Sequence, residues 1–316
     1  MRIAGKGLIN REKTVNFKFD GRSYKGFEGD TVASALLASG KKLFGRSFKY
    51  HRPRGVLTAG SEEPNALITV GQDAFQDPNV RATTQEIFEG LITKSQNNWP
   101  NLQYDILSVN DLFSNFLGAG FYYKTFMWPK SFWEKIYEPF IRRAAGLGAL
   151  SGLHNSDTYE KAYAFCDLLV IGGGPSGLLA AKIAAEAGLD VILAEQEPIF
   201  GGRLNSETEK VDGIPGSDWA AKIIEELKKL DNVRLFLRTT VTGVYDQGTY
   251  AAVERVGHHL LDRGNDRPLE CFWRIVAKNS ILAAGAIERA IAFPNNDRPG
   301  IMAASAVRTY LNRFGV

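Results

Sequence analysis

Gly172, Gly174 and Gly177 stand in G-x-G-x-x-G spacing, and Glu195 follows 18 residues after the last of them. That set can hold a dinucleotide. Gly172 permits a tight turn out of a strand, Gly174 lets backbone approach a pyrophosphate, and Gly177 lets the next helix lie close on the sheet. The helix start adds unpaired amides and the positive end of a dipole, so the turn is an anion site. A carboxylate at Glu195 can take both hydroxyls of an adenosine ribose and repels a 2′-phosphate, which favours NAD or FAD over NADP. Arg203, close by in sequence, is the residue that could instead receive such a phosphate.

The elements that must position this set are legible around it. Asp167 to Ile171 is a short, branched, apolar run, as in a parallel strand buried on both faces. Pro175 suits the first helical turn, alanine and leucine line the helix through Ala187, and Gly188 ends it. Asp190 to Glu195 is a second strand. Ser217-Asp218 should cap the helix DWAAKIIEELKKL, and Val233 to Leu237 completes a βαβαβ unit. Val241 to Tyr245, Tyr250 to Val256 and Phe272 to Val276 read as a β-meander crossing over that sheet. Ser280 to Ala284 reads as a last buried strand, closed by Gly285. The fold class expected is α/β, with an incomplete Rossmann-like FAD/NAD(P)-binding domain at 161–316.

Residues 1–95 read as a small β-rich domain. Val15 to Phe19 and Ser23 to Phe27 flank Asp20-Gly21, a hairpin signature. The helix TVASALLASG follows, with Asp30 as its expected N-cap and Gly40 as its stop. This order resembles a ferredoxin-like β-grasp fold, whose next loop would carry the cysteines of a [2Fe–2S] cluster. Here that loop has none, so the domain is cluster-free. It is basic instead, with Lys41, Lys42, Arg46, Lys49, Arg52 and Arg54 interleaved with Phe44, Phe48 and Tyr50. With Glu62 and Glu63 nearby, these cations are expected to meet acids on a neighbouring domain or subunit rather than nucleic acid.

Residues 96–160 hold thirteen of the chain's 35 aromatic residues, from Trp99 to Phe140. So many rings predict a packed helical connector rather than a linker or a lipid-binding face, with short amphipathic helices in NDLFSNFL and PKSFWEKIYEPFIRRAAG. The bulk numbers exclude other classes. A net charge of +3 is too small to imply nucleic acid, and no segment reads as a membrane span. Cys166 and Cys271 are the only cysteines, which excludes a disulfide framework and points to the cytoplasm. His258 and His259 fall on a predicted strand facing opposite ways, and His51 and His154 lack ligand-spaced neighbours, so no metal site is expected.

Several separated motifs make the chain resemble the N-terminal part of the α subunit of heterotetrameric sarcosine oxidases. They are GRSFKYHRPRG at 45–55, EEPNAL at 62–67, GFYYKTFMWP at 120–129, the glycine fingerprint, and LAAGAIERAIAFPNNDRPGIM at 282–302. The resemblance implies a cluster-free β-grasp domain and then an NAD-holding Rossmann-like domain. It places NAD on Gly172, Gly174, Ser176 and Gly177 at the pyrophosphate, on Glu195, Gln196 and Glu197 at the ribose, on Arg203 in the following loop, and on Val241 near the adenine. It implies a hetero-oligomer with FAD and FMN carried mainly by a partner chain, sarcosine and tetrahydrofolate as substrates, and no catalytic residue in this stretch. It also makes the chain a truncated piece, with Val307, Tyr310 and Leu311 of the last helix facing a missing element. Left open are FAD in the same fingerprint, as in an opine, proline or glycine dehydrogenase component, and a non-catalytic nucleotide-binding scaffold.

Overall fold

The computed structural model describes residues 1–118, 120, 126–261 and 267–316. The chain divides into two compact units, one of residues 1–2, 10–155 and 289–306, the other of 3–9, 156–288 and 307–316.

In the first unit β1 (Asn10–Phe19) and β2 (Arg22–Glu28) form the predicted hairpin. Asp20 and Gly21 at its tip both have positive φ, the backbone that a tight hairpin turn demands. Helix α1 (Val32–Ala38) follows, then the short pair β3 (Gly45–Arg46) and β4 (Pro53–Arg54). β5 (Leu67–Val70), β6 (Asp77–Arg81) and β7 (Ile92–Ser95) complete a five-stranded sheet in the order β2-β1-β7-β5-β6. β1 and β7 run parallel at its centre and the other neighbours are antiparallel, which makes the ferredoxin-like β-grasp layout. Phe17, Phe19, Leu36, Ile68 and Leu91 are fully buried in this unit.

Two expectations about this unit change. The cap of α1 is Thr31, which accepts from Ser34 N at 3.2 Å while Ser34 Oγ accepts from Thr31 N at 3.0 Å. Asp30, one residue earlier, accepts instead from Phe27 N and Ser34 Oγ and pairs with Arg2. In the basic loop, Arg52 and Arg54 meet Asp297 at 3.0 and 2.8 Å within the same unit, and Arg46 donates to the carbonyls of Leu102 and His51. The Glu63 carboxylate pairs with no cation among the described residues. It is buried and accepts from the amides of Leu57, Thr58, Asn65 and Ala66, binding the loop's own backbone. Phe44 is core, whereas Phe48 is exposed.

Residues 96–155 fall in the first unit. Their helical pieces are a 3-10 helix at Ile106–Phe113, a 3-10 turn at Lys130–Phe132, a π turn at Trp133–Tyr137, and α2 (Glu138–Ala144). Leu112, Phe116, Trp128 and Phe140 are more than 70% exposed, against the expectation of a packed connector. Pieces of three to eight residues, interrupted by Pro129 and changing helical pitch, cannot carry a continuous apolar stripe. Phe121, Tyr122 and Tyr123 lie outside the described residues.

The second unit is built on β8 (Tyr159–Ile171), α3 (Pro175–Glu186), β9 (Val191–Ala194), the small hairpin β10 (Lys210–Val211) and β11 (Ile214–Pro215), and α4 (Gly216–Leu227). β12 (Val233–Phe236), β13 (Thr239–Tyr245), β14 (Thr249–Glu254) and β15 (Glu270–Leu282) complete it. One sheet contains six of these strands, in the order β12-β9-β8-β15-β14-β13. The first four are parallel and the last two antiparallel. Leu168, Val170, Val191 and Leu193 pack with Leu178, Ala181, Trp219, Ile223 and Leu227 of α3 and α4. Leu169, Ile192, Tyr250, Ala252 and Ile275 form a second cluster.

The meander therefore extends the sheet rather than crossing over it. The stretches predicted as two strands, Phe272 to Val276 and Ser280 to Ala284, are one: β15 pairs with β8 along its whole length, so the long neighbour carries it through Lys278-Asn279. Its end is not buried, Leu282 being 76% exposed. Strand β14 stops at Glu254, which puts His258 and His259 in the following turn, with His258 Nε2 3.0 Å from Glu270. Helix α4 starts at Gly216 behind Pro215, without a side-chain cap, so Asp218 sits inside its first turn.

The last helix, α5 (Ala304–Asn312), ends against residues 3–9: Leu8 N donates to Arg313 O and Ile3 N to Gly315 O. Tyr310 is buried and Leu311 half-buried, while Val307 is exposed. These backbone partners of the segment after the helix lie at the other end of the chain, a distance that hides them in the sequence.

Candidate nucleotide site

Strand β8 ends at Ile171, and the chain turns at Gly172 with φ +106°. A Cβ there would stand 2.5 Å from the carbonyl oxygen of Ala283, just beyond β15. Gly177 is as constrained, since its Cβ would come within 1.8 Å of Gly172 O. Gly174 differs. It has φ −74°, occupies the N-cap position of α3, and its Cβ would meet nothing within 4 Å. Any residue could adopt that backbone, and the space beside it is open. Pro175 takes the first helical position, and Ser176 follows it, exposed. The first-turn amides have no carbonyl one turn earlier to bond, so they are available to an anion.

Gly173, the unassigned residue of the fingerprint, turns out to join the two halves of the site. Its amide donates to Glu195 Oε2 at 2.6 Å, and a Cβ on it would strike the Phe200 ring at 2.4 Å. Glu195 is thus brought against the glycine turn, as its place at the end of β9 requires. Its other oxygen accepts from Glu197 N at 2.8 Å. Burial raises its carboxyl pKa, against the opposing pull of the amides of Glu197 and Gly173, and the nearby Glu197 charge adds to the rise. Two amide donors leave further lone pairs on the carboxylate for ribose hydroxyls.

A third segment closes on the turn. Gly201 N donates to Gly173 O at 2.8 Å, and a Cβ on Gly202 would lie 3.0 Å from Gly174 Cα. The doubled glycine at 201–202 is the signal in the sequence for this close approach.

Other candidates are engaged elsewhere. Gln196 has an exposed side chain, and its carbonyl accepts from Arg255 at 2.8 Å. Glu197 is paired with Arg313 at 3.0 Å. Arg203 is exposed and held by Glu207 one turn along. Val241 lies on β13 opposite Ala252 and packs against the second core cluster, two residues after Thr239, whose amide donates to Glu195 O. Among the described residues no three His, Cys, Asp or Glu side chains gather to hold a metal, and no helix is long and apolar enough to cross a membrane.

Comparison with known proteins finds matches in both units. Residues 170–240 match a family described as an NAD(P)-binding Rossmann-like domain, and residues 12–98 match a 2Fe-2S iron-sulfur cluster binding domain. The second match covers a stretch with no cysteine, so the fold is shared and the cluster ligands are not. The chain is 55% identical over its whole length to the alpha subunit of sarcosine oxidase from Rhizobium meliloti (strain 1021), covering 32% of that protein. It is 37% identical over 98% of its length to the corresponding alpha subunit from Corynebacterium sp. (strain U-96), covering 28%. An opine oxidase subunit from Agrobacterium tumefaciens (strain Ach5) is 31% identical over 48% of this chain and 30% of its own. The crystal structure of L-proline dehydrogenase from P. horikoshii superposes with a TM-score of 0.61 at 22% identity, covering 99% of this chain and 49% of that one, a likeness of fold. The chain spans about a third of the length of the curated relatives it matches.

Proposed function

We propose that this chain, similar along its whole length to the alpha subunits of sarcosine oxidase, is the nucleotide-holding part of an amine oxidoreductase and that its nucleotide is NAD. The observation that supports the reading is the hydrogen bond from Gly173 N to Glu195, which brings the acid against the glycine turn, where a phosphate and a ribose would be neighbours. The residues fit an ADP moiety. Gly174, Ser176 and Gly177 would hold the pyrophosphate on their backbone, and Glu195 would take the ribose. A bound dinucleotide supplies the hydride chemistry, and the chain's own part is to hold and orient it. We assign no catalytic role to any side chain of this stretch.

In the assembled enzyme the reaction would be oxidative demethylation of sarcosine to glycine, with oxygen reduced to hydrogen peroxide and the one-carbon unit passed to tetrahydrofolate. FAD and FMN would be carried mainly by partner subunits of the hetero-oligomer. The two buried, unbridged thiols, Cys166 and Cys271, suit a cytoplasmic enzyme.

The test is calorimetric titration of the purified chain with ADP-ribose, NAD, NADP and FAD, together with its absorption spectrum. The reading expects ADP-ribose and NAD to bind, NADP to bind more weakly, and no flavin band. A yellow protein with a flavin spectrum would replace NAD by FAD, as in an opine, proline or glycine dehydrogenase component. Failure of ADP-ribose to bind would refute the nucleotide reading.

A further inference from the structure

We propose that Arg313 is a positioning residue for the ribose end of this site: it holds the carboxylate of Glu197 away, leaving Glu195 as the single acid offered to the sugar. The proposal rests on the nucleotide reading above. Glu195 and Glu197 are two acids at the mouth of one strand, and they are not equivalent. Glu195 is buried with both oxygens on backbone amides. Glu197 donates one of those amides, accepts at its carbonyl from Arg238 N at 3.1 Å, and turns its side chain to Arg313 Nη1 at 3.0 Å. An unbroken series of contacts therefore runs from Arg313 through Glu197 and Glu195 to Gly173.

Arg313 is itself fixed for this. It is only 9% exposed, its guanidinium lies 4.9 Å from the Phe314 ring centroid, and its carbonyl accepts from Leu8 N at 2.7 Å. The end of α5 is tied to the loop beyond Gly202 by Asn312 Nδ2 on Ser206 O at 2.8 Å and by Thr309 Oγ1 on Ser206 Oγ at 3.0 Å. Without Arg313, a half-buried Glu197 carboxylate would face the buried Glu195 uncompensated, and relief would come by swinging the 195–197 loop, and Glu195 with it, off the glycine turn.

The experiment is calorimetric titration of the 316-residue chain with ADP-ribose as wild type, Arg313→Met, Arg313→Lys and the pair Arg313→Met with Glu197→Gln. Arg313→Met should weaken binding about tenfold, Arg313→Lys less, and the pair should return to within about threefold of wild type because no charge is stranded. If the wild type binds and Arg313→Met binds as tightly, the proposal is overturned. A paired variant that stays as weak as the single one, or that fails to fold, also overturns it, since Arg313 would then act only in packing. A wild-type chain that does not bind ADP-ribose at all fails the nucleotide reading instead.

Discussion

Alanine placed at Gly174 and at Gly177 separates the approach of a ligand from the packing of the protein. At Gly177 the new methyl would lie 1.8 Å from Gly172 O, so the helix or the turn must move by roughly 1 Å in a close-packed unit. Overpacking of that size costs about 3 kcal/mol. In a unit of this size it should lower the melting temperature by about 10 °C. At Gly174 the methyl meets no protein atom within 4 Å, and φ −74° suits alanine, so the cost is the loss of a tolerated N-cap glycine, about 0.5 kcal/mol. Any larger effect at Gly174 must come from the ligand. A pyrophosphate resting on that backbone would be pushed out by a methyl, and a tenfold loss of ADP-ribose affinity corresponds to about 1.4 kcal/mol. Differential scanning calorimetry and titration with ADP-ribose read the two quantities separately. Gly174→Ala should bind at least about tenfold more weakly while melting near the wild type, and Gly177→Ala should melt early. Undiminished affinity in Gly174→Ala would refute the placement of the anion, and a wild-type melt in Gly177→Ala would refute the packing.

Thr31→Ala removes the side chain that caps α1 and should cost about 1 kcal/mol in a denaturant titration, an effect absent if Asp30 were the cap. Asp297→Ala leaves Arg52 and Arg54 facing each other and Arg298; burial first, and then those two charges, already holds the Arg54 pKa down. It should cost about 2 kcal/mol, and an unchanged melting temperature would count against the ion pairs. Gly202→Ala puts a side chain at φ +51° and presses on Gly174 Cα, so it should cost about 1 kcal/mol and also weaken ADP-ribose binding; unchanged affinity would show that the loop does not shape the turn. The raised pKa of buried Glu195 means that the folded chain favours its protonated form. Its contribution to stability is complete below the ordinary value of 4.5 and is lost as pH rises through the raised one, so Glu195→Gln should flatten that part of the stability curve. A wild-type-minus-variant difference that is constant from about pH 4 to 7 would argue against the shift.

Features encoded by neighbours in the chain were legible, and features encoded by distant residues were not. Asp20-Gly21 announces its hairpin because both residues tolerate positive φ, and the fingerprint announces its turn because Gly172 and Gly177 have no room for a side chain. Glu195 was placed correctly at the turn because the length of a helix and a strand fixes where the second strand ends. The choice between Asp30 and Thr31 as cap depends on which of two adjacent oxygens meets Ser34 N, below the resolution of a pattern. The pairing of Glu197 with Arg313 was not legible because the two stand 116 positions apart. The two-strand reading of 272–284 failed for the same reason: Lys278-Asn279 resembles a break until β8 is laid beside it. The aromatic run at 99–140 misled differently. Composition counts rings, but burial needs elements long enough to present them on one face.

A hexapeptide motif alone does not make the anion site, because each glycine in it answers to a different part of the unit. Gly172 fits beneath Ala283 at the end of β15, Gly173 beneath Phe200 and Glu195, and Gly177 beneath Gly172 itself. In those three places the protein's own atoms account for the missing side chain. They do not account for it at Gly174, where the backbone is ordinary, the space is open, and serine, aspartate or asparagine would cap the helix at least as well. What a side chain there would obstruct is whatever approaches the first-turn amides of α3 from outside. With Glu195 anchored one residue away on Gly173 N, the approaching group that suits both neighbours carries phosphate at one end and vicinal hydroxyls at the other, which is the chemistry of an ADP moiety.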